Sequence, residues 1–123
     1  PDMRLPIQYA FSFPQRLPLK GERLDLFKTQ DLQFFEPDYK KFKCLQLCFD
    51  AIRKGGNMSC IVNAANEIVN AGFRRGECGF LQMADIIEEV MAKATFDSQP
   101  DLDVYLQTDA EARRIATELM HHI

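Results

Sequence analysis

From Lys41 onward, apolar residues recur at the spacing of one helical face, beginning with Phe42, Leu45, Cys48, Phe49 and Ile52. That run ends at Gly55-Gly56, a pair suited to a left-handed helix stop. A second helix is predicted from about Met58 to Arg75, with Met58, Ile61, Val62, Ala65, Ile68, Val69 and Gly72 on its apolar side and Gly76 as its stop. A third, from about Gln82 to Ala94, buries Met83, Ile86, Ile87, Val90 and Met91 and turns Asp85, Glu88, Glu89 and Lys93 to water. For the fourth, Thr108-Asp109-Ala110-Glu111 fits a reciprocal capping box, and Ala112, Ile115, Ala116 and Leu119 supply its inward stripe. Pro100 to Leu106 reads as a helical turn between the last two. Four amphipathic helices with short connections predict a four-helix bundle.

The front third has a different pattern. Five of the six prolines lie within residues 1–37, and five of the six glycines between 55 and 79, so composition changes near residue 40. Asp2 is placed to cap a short helix from about Met3 to Phe13, which tolerates Pro6 in its first turn and stops before Pro14. Residues 14–30 read as linker. Leu32-Gln33-Phe34-Phe35 reads as a short strand whose ladder ends at Glu36-Pro37. Leu24, Leu26 and Phe27 precede it and need cover. The predicted fold class is therefore mainly α: a four-helix bundle preceded by a short helix and an extended linker arm with one short β-strand, divided into residues 1–40 and 41–123.

Composition narrows the function classes. At 123 residues and 46% hydrophobic, the chain is too apolar for disorder and long enough to bury a core. A formal charge of −3 argues against nucleic acid or an anionic membrane as partner, since both select basic stripes. No segment approaches the ~18 uninterrupted apolar residues of a spanning helix. The chain opens on Pro1 without a signal peptide or an initiator Met, so a fragment of a longer protein is expected. Cys44, Cys48, Cys60 and Cys78 contain no C-x-x-C pair, and the two histidines, His121 and His122, sit at the C-terminal end. Four reduced thiols in the cytoplasm are expected rather than a zinc site or a disulfide framework. Cys78, between Gly76 and Gly79, is expected to be the most accessible of them.

The polar side of the second helix carries the most information. Asn63, Asn66, Glu67 and Asn70 recur at i, i+3, i+4 and i+7 and form one narrow stripe. Asparagine is a poor helix former, so three on one helix cost about 1–2 kcal/mol against alanine. Two readings stay open: a solvated stripe, or amides that hydrogen-bond to a neighbouring loop or domain. Acidic pairs such as Asp101/Asp103 and Glu88/Glu89 have no neighbouring histidine, nucleophile or phosphate loop and read as solvated surface. Lys40-Lys41, Arg74-Arg75 and Arg113-Arg114 read as helix-end or water-facing cations. The sequence holds no Gly-x-Gly-x-x-Gly, Walker loop or Ser/His/Asp arrangement. Neither a catalytic nor a metal-ligating residue is assigned, and the chain does not read as a self-sufficient enzyme.

Pro1-Asp2-Met3-Arg4-Leu5-Pro6-Ile7-Gln8-Tyr9-Ala10 resembles the segment that ends the central domain of the 1-deoxy-D-xylulose 5-phosphate reductoisomerases. Leu24-Asp25-Leu26 and Phe35-Glu36-Pro37-Asp38 resemble that family's linker, Asn63-Ala64-Ala65-Asn66-Glu67 its C-terminal bundle, and Asp109-Ala110-Glu111-Ala112-Arg113 its last helix. Each motif is weak alone; in this order they are specific. The resemblance implies a C-terminal support domain, roughly the last third of an NADPH-dependent oxidoreductase of mevalonate-independent isoprenoid biosynthesis. It implies partners absent from this chain, namely an NADPH-binding N-terminal domain and a central domain with the Mg²⁺ or Mn²⁺ ligands. This chain alone is then expected to bind no cofactor and to be inactive. By the same resemblance Pro1 and Met3 stand at the edge of the substrate pocket, and Asn63, Asn66, Glu67 and Asn70 are candidates for interdomain contact. A homodimer through residues 24–35 is a further expectation. The competing class is an autonomous helical protein-interaction module.

Overall fold

The computed structural model describes residues 2–29 and 31–121. Among them are five helices and no strand: α1 (Arg4–Ser12), α2 (Lys43–Lys54), α3 (Met58–Arg75), α4 (Phe80–Lys93) and α5 (Leu102–His121). The chain divides into two compact units, one ending at Phe35 and the other beginning at Glu36.

In the first unit, the Asp2 carboxylate accepts the backbone N–H of Arg4 at 2.9 Å and its side chain at 2.6 Å, which fixes the start of α1. Beyond α1, the Gln8 side-chain amide donates to the Pro18 carbonyl and the Arg16 guanidinium lies 4.4 Å from the centre of the Tyr9 ring. α1 has no buried residue. The strand expected over Leu32–Phe35 is not formed, because residues 31–38 have no ladder partner and a strand is defined by pairing.

The second unit is the bundle. α3 is its central helix, packed on α2, α4 and α5, and its Met58, Ile61, Ala64, Ala65 and Val69 are fully buried against Ile86, Ile87 and Val90 of α4 and Ala112, Ala116 and Met120 of α5. Its alanines let neighbouring backbones approach. α3 stops at Gly76, whose φ of 78° is open to glycine without strain, and the Glu77 N–H closes the end on the Gly72 carbonyl. α4 begins where the Gln82 side chain accepts the Gly79 N–H at 2.6 Å.

Three expectations for this unit are corrected. First, α5 starts six residues before the supposed capping box. The Asp101 carboxylate accepts the Val104 N–H at 2.8 Å and so caps the helix. Thr108 lies inside α5, buried, and its hydroxyl accepts from Asn57 Nδ2 at 2.8 Å, while Glu111 reaches the backbone and hydroxyl of Thr95. Second, the apolar stripe of α2 points outward. α2 packs on α3 and α4 but not on α5, and it buries Leu47 and Ala51, whereas Phe42, Leu45, Cys48, Phe49 and Ile52 are exposed. A peripheral helix needs only a narrow face for its own bundle, so the wider stripe is left over. Third, Cys78 is buried, its thiol against the Val69 carbonyl at 3.6 Å, because the chain after Gly76 turns in beneath α3; Cys44 and Cys48 are the exposed thiols.

One buried polar joint holds the bundle's loops. Asn57, 1% exposed, donates from Nδ2 to the Thr95 carbonyl and to Thr108, and its Oδ1 accepts the Asp97 N–H at 3.0 Å. Every polar atom of this amide is thereby satisfied. Gly56 beside it has a φ of 55°, and a Cβ there would strike the Asp97 carbonyl.

Candidate functional site

Met58–Arg75 carries its polar residues on the side opposite the core, and Asn63, Asn66, Glu67 and Asn70 are all exposed there. Asn63 Nδ2 donates to Glu67 Oε1 at 3.2 Å. The other oxygen of Glu67 accepts from Arg113 of α5 at 2.6 Å, and the same guanidinium donates to Asp109 Oδ2 at 2.7 Å. The bond from Arg113, reinforced by its charge and by Asn63, holds Glu67 below the usual carboxylate range, so the glutamate is ionised at neutral pH. Two carboxylates facing one guanidinium raise the Arg113 pKa in turn. The stripe thus divides in two. Asn63 and Glu67 are tied across to α5, whereas Asn66 and Asn70 stand exposed on α3.

Asn63 and Asn66 also form the polar rim of a groove of about 340 Å³ between α2 and α3. Its walls are apolar, built from Leu47, Ala51 and Ile52 on one side and Val62 and Ile87 on the other, with Cys44 and Cys48 along the α2 edge. Partial desolvation against the groove, with Cys48 beside it, raises the Cys44 pKa, so less of this exposed thiol is thiolate at neutral pH. An apolar trough with two amides on its lip suits a packed chain segment, since the amides can pair with backbone while the walls cover side chains.

Of the two pocket-edge candidates, Met3 is 69% exposed immediately before α1 and Pro1 lies outside the described residues. Sequence reasoning missed Arg113, which it read as a water-facing cation. The available signal was Asp109 four residues earlier, the i, i+4 spacing that aligns two side chains on a helix. It also missed Asn57, a single polar residue just before an apolar run, for which no periodic signal exists. Among the described residues, no group of three or more histidine, cysteine, aspartate or glutamate side chains is disposed to hold a metal ion, and no helix is long and apolar enough to cross a membrane.

The second unit is a helical bundle domain with exposed apolar side chains on α2 and exposed amides on α3, and the described residues form no metal-ligand cluster of three or more such side chains. The chain matches the family profile of the DXP reductoisomerase C-terminal domain over residues 1–115, and it belongs to that family. Among its relatives, the 1-deoxy-D-xylulose 5-phosphate reductoisomerase of Bacteroides fragilis is 54% identical over 98% of this chain, and that of Macrococcus caseolyticus is 46% identical over 90%. The solved 1-deoxy-D-xylulose 5-phosphate reductoisomerase of Zymomonas mobilis in complex with NADPH superposes with a TM-score of 0.84 at 38% identity, covering 98% of this chain and 32% of that one. A DOX-P reductoisomerase crystal structure in complex with magnesium gives a TM-score of 0.87 at 32% identity, with the same coverage. The chain spans about 31% of the length of the Bacteroides relative.

Proposed function

We propose that the chain is the C-terminal support domain of a cytoplasmic 1-deoxy-D-xylulose 5-phosphate reductoisomerase, with residues 1–40 as the end of the central domain and a linker arm and residues 41–123 as the helical bundle. The parent reaction is the NADPH-dependent isomerisation and reduction of 1-deoxy-D-xylulose 5-phosphate to 2-C-methyl-D-erythritol 4-phosphate. The observation that carries this reading is a family match running from residue 1 to 115, across both compact units. On the family's resemblance, NADPH and Mg²⁺ or Mn²⁺ are held by the preceding domains of the parent enzyme. The task of this chain is geometric. Asn63, Asn66, Glu67 and Asn70 face a preceding domain, Pro1 and Met3 shape the substrate pocket's edge without moving a proton, and the arm over residues 24–35 joins two copies of the enzyme.

The test is a chimera in which this chain replaces the matching third of the Bacteroides fragilis reductoisomerase. NADPH consumption dependent on 1-deoxy-D-xylulose 5-phosphate is the expected result, with no consumption by the isolated chain. A folded chimera without turnover rejects the support role and favours the autonomous interaction module.

A further inference from the structure

Cys44 and Cys48 put two thiols one helical turn apart on α2, where side chains four positions apart are neighbours with Cβ atoms about 5–6 Å from each other. Both are exposed, and both lie along the α2 edge of the apolar groove shared with α3. The other two cysteines are engaged elsewhere: the Cys60 thiol lies 3.7 Å from the Tyr105 carbonyl, and Cys78 is buried against that of Val69. A disulfide between Cys44 and Cys48 needs Cβ atoms about 3.5–4.5 Å apart, and an intact helical turn holds them farther away. An atom placed between the sulfurs removes that shortfall. With a metal–thiolate bond of about 2.3 Å, an ion held in line by two sulfurs sets them about 4.6 Å apart, a span that rotation about χ1 reaches from this spacing.

We propose that Cys44 and Cys48 form a chelating dithiolate site for a soft, two-coordinate monovalent cation, with Cu(I) as its biological member. Ligand number and surroundings select that class. Among the described residues, no group of three or more histidine, cysteine, aspartate or glutamate side chains gathers as a metal site, which leaves four-coordinate Zn²⁺ and the oxygen-seeking Mg²⁺ and Mn²⁺ short of ligands. A soft ion held in line by two thiolates is complete. The carboxylates reached from this end of α2 are occupied, because the Lys43 ammonium pairs with Asp85 and with Glu88, each at 2.7 Å. Leu47, Ala51, Ile52 and Val62 supply the surrounding wall, which suits polarisable sulfur and offers a hard cation nothing in exchange for its water. Binding replaces two S–H bonds by two S–Cu bonds and releases two protons, with copper(I) and both sulfurs unchanged in oxidation state. Desolvation in the groove and the neighbouring Cys48 hold Cys44 protonated, Lys43 acts in the opposite sense, and the positive charge of an incoming ion turns the balance toward thiolate.

Titration of the reduced 123-residue chain with Cu(I) under argon, in competition with the chromophoric chelator bathocuproine disulfonate, tests this, with circular dichroism to confirm that each variant keeps its helices. The expected result is one Cu(I) per chain, bound by two sulfurs in X-ray absorption spectra, with no change in sedimentation mass. C44S and C48S should each weaken binding about a hundredfold, since each removes the chelate and leaves a single thiol, whereas C60S should stay within about threefold of the unaltered chain. Excess Mg²⁺ should leave the bound copper in place. A chain that takes no copper from the chelator overturns the proposal. Full affinity in C44S or in C48S does so as well, because one thiol then suffices. So does a stoichiometry of one copper per two chains, in which different copies share the ion, and so does binding that C60S abolishes, which moves the site to α3.

Discussion

The two compact units contain similar kinds of side chains and treat them in opposite ways. The bundle buries Met58, Ile61, Val69, Ile87 and Val90 almost completely, whereas the unit ending at Phe35 leaves Leu24, Leu26, Phe27, Leu32, Phe34 and Phe35 in contact with water and buries no residue of α1. Hydrophobic content therefore does not locate a core. What separates the units is periodicity: the bundle repeats its apolar residues at helical spacing, which lets several helices share one interior, while the first unit, with prolines at 1, 6, 14 and 18, has no such face to repeat. Exposing six large side chains within twelve positions forgoes roughly 1.5–3 kcal/mol for each, a strong bias toward cover from another surface.

The sharpest way to break this contrast is to remove one buried joint of the bundle. Asn57→Ala removes the amide that pairs with Thr95, Asp97 and Thr108, strands their polar groups, and should lower unfolding free energy by about 3 kcal/mol in urea titrations. Leu24→Ser with Leu26→Ser in the arm should leave the same transition within about 0.5 kcal/mol at a concentration where the chain is monomeric. Equal losses from both would make the two units one cooperative body. Gly56→Ala comes next. It combines a left-handed φ with a collision against the Asp97 backbone, and about 2 kcal/mol of destabilisation is expected by thermal unfolding, more than for Gly72→Ala, whose Cβ meets the movable side-chain ends of Met120 and Glu77.

How much of this was legible in the sequence follows the same division. α3 was readable to the residue because its apolar period, its polar stripe and Gly76 agree, and α4 was readable to within two residues. Thr108 and Glu111 misled because a capping box depends on local spacing alone, and the tertiary partners Asn57 and Thr95 took both side chains for the interior and the loop. The stripe of α2 was seen correctly and oriented wrongly: periodicity shows that a face is apolar and says nothing about which neighbour covers it. The strand at Leu32–Phe35 failed for a related reason, since composition signals extended backbone but pairing needs a second strand. Of the candidate site, the asparagine stripe was visible as a cost without a local gain; its tie to α5 through Arg113 joins residues 46 positions apart, beyond any local pattern.

A smaller effect distinguishes the surface of the bundle alone from the same surface in the longer protein. In the isolated chain, Asn63→Ala with Asn66→Ala should be neutral or stabilising by up to about 1 kcal/mol, because both side chains are exposed and alanine is the better helix former. In the chimeric reductoisomerase, the same pair should cost about 1–3 kcal/mol for each amide that has become buried, read as a lower melting temperature or reduced turnover. A neutral double variant in both settings removes the stripe from the contact surface.

The smallest effect is acid titration, for which Asp2 in the first unit and Glu67 in the bundle are each a carboxylate held by an arginine. In the arm, the side-chain bond from Arg4 draws the Asp2 pKa down from 3.8 to about 2; in the bundle, the bond from Arg113 lowers Glu67 below 4.5. A carboxylate whose folded pKa is depressed stabilises above its unfolded pKa and loses that contribution as pH falls through the folded value. The Asp2 contribution should therefore vanish between pH 3.8 and about 2, and that of Glu67 below pH 4.5. Both pairs are open to solvent, so salt reduces them and the effects on unfolding are small. Their targets differ. Arg4→Ala should raise the Asp2 titration seen by carboxyl NMR and loosen the first turn of α1 without moving the bundle's acid transition, because the bond lies within the first unit. Arg113→Ala should raise the Glu67 titration and flatten the bundle's own stability curve below pH 4.5, because that guanidinium joins α3 to α5. If Arg4→Ala also shifts the bundle's transition, the units are energetically coupled, and the exposed arm is closer to the bundle's core energetics than its lack of burial implies.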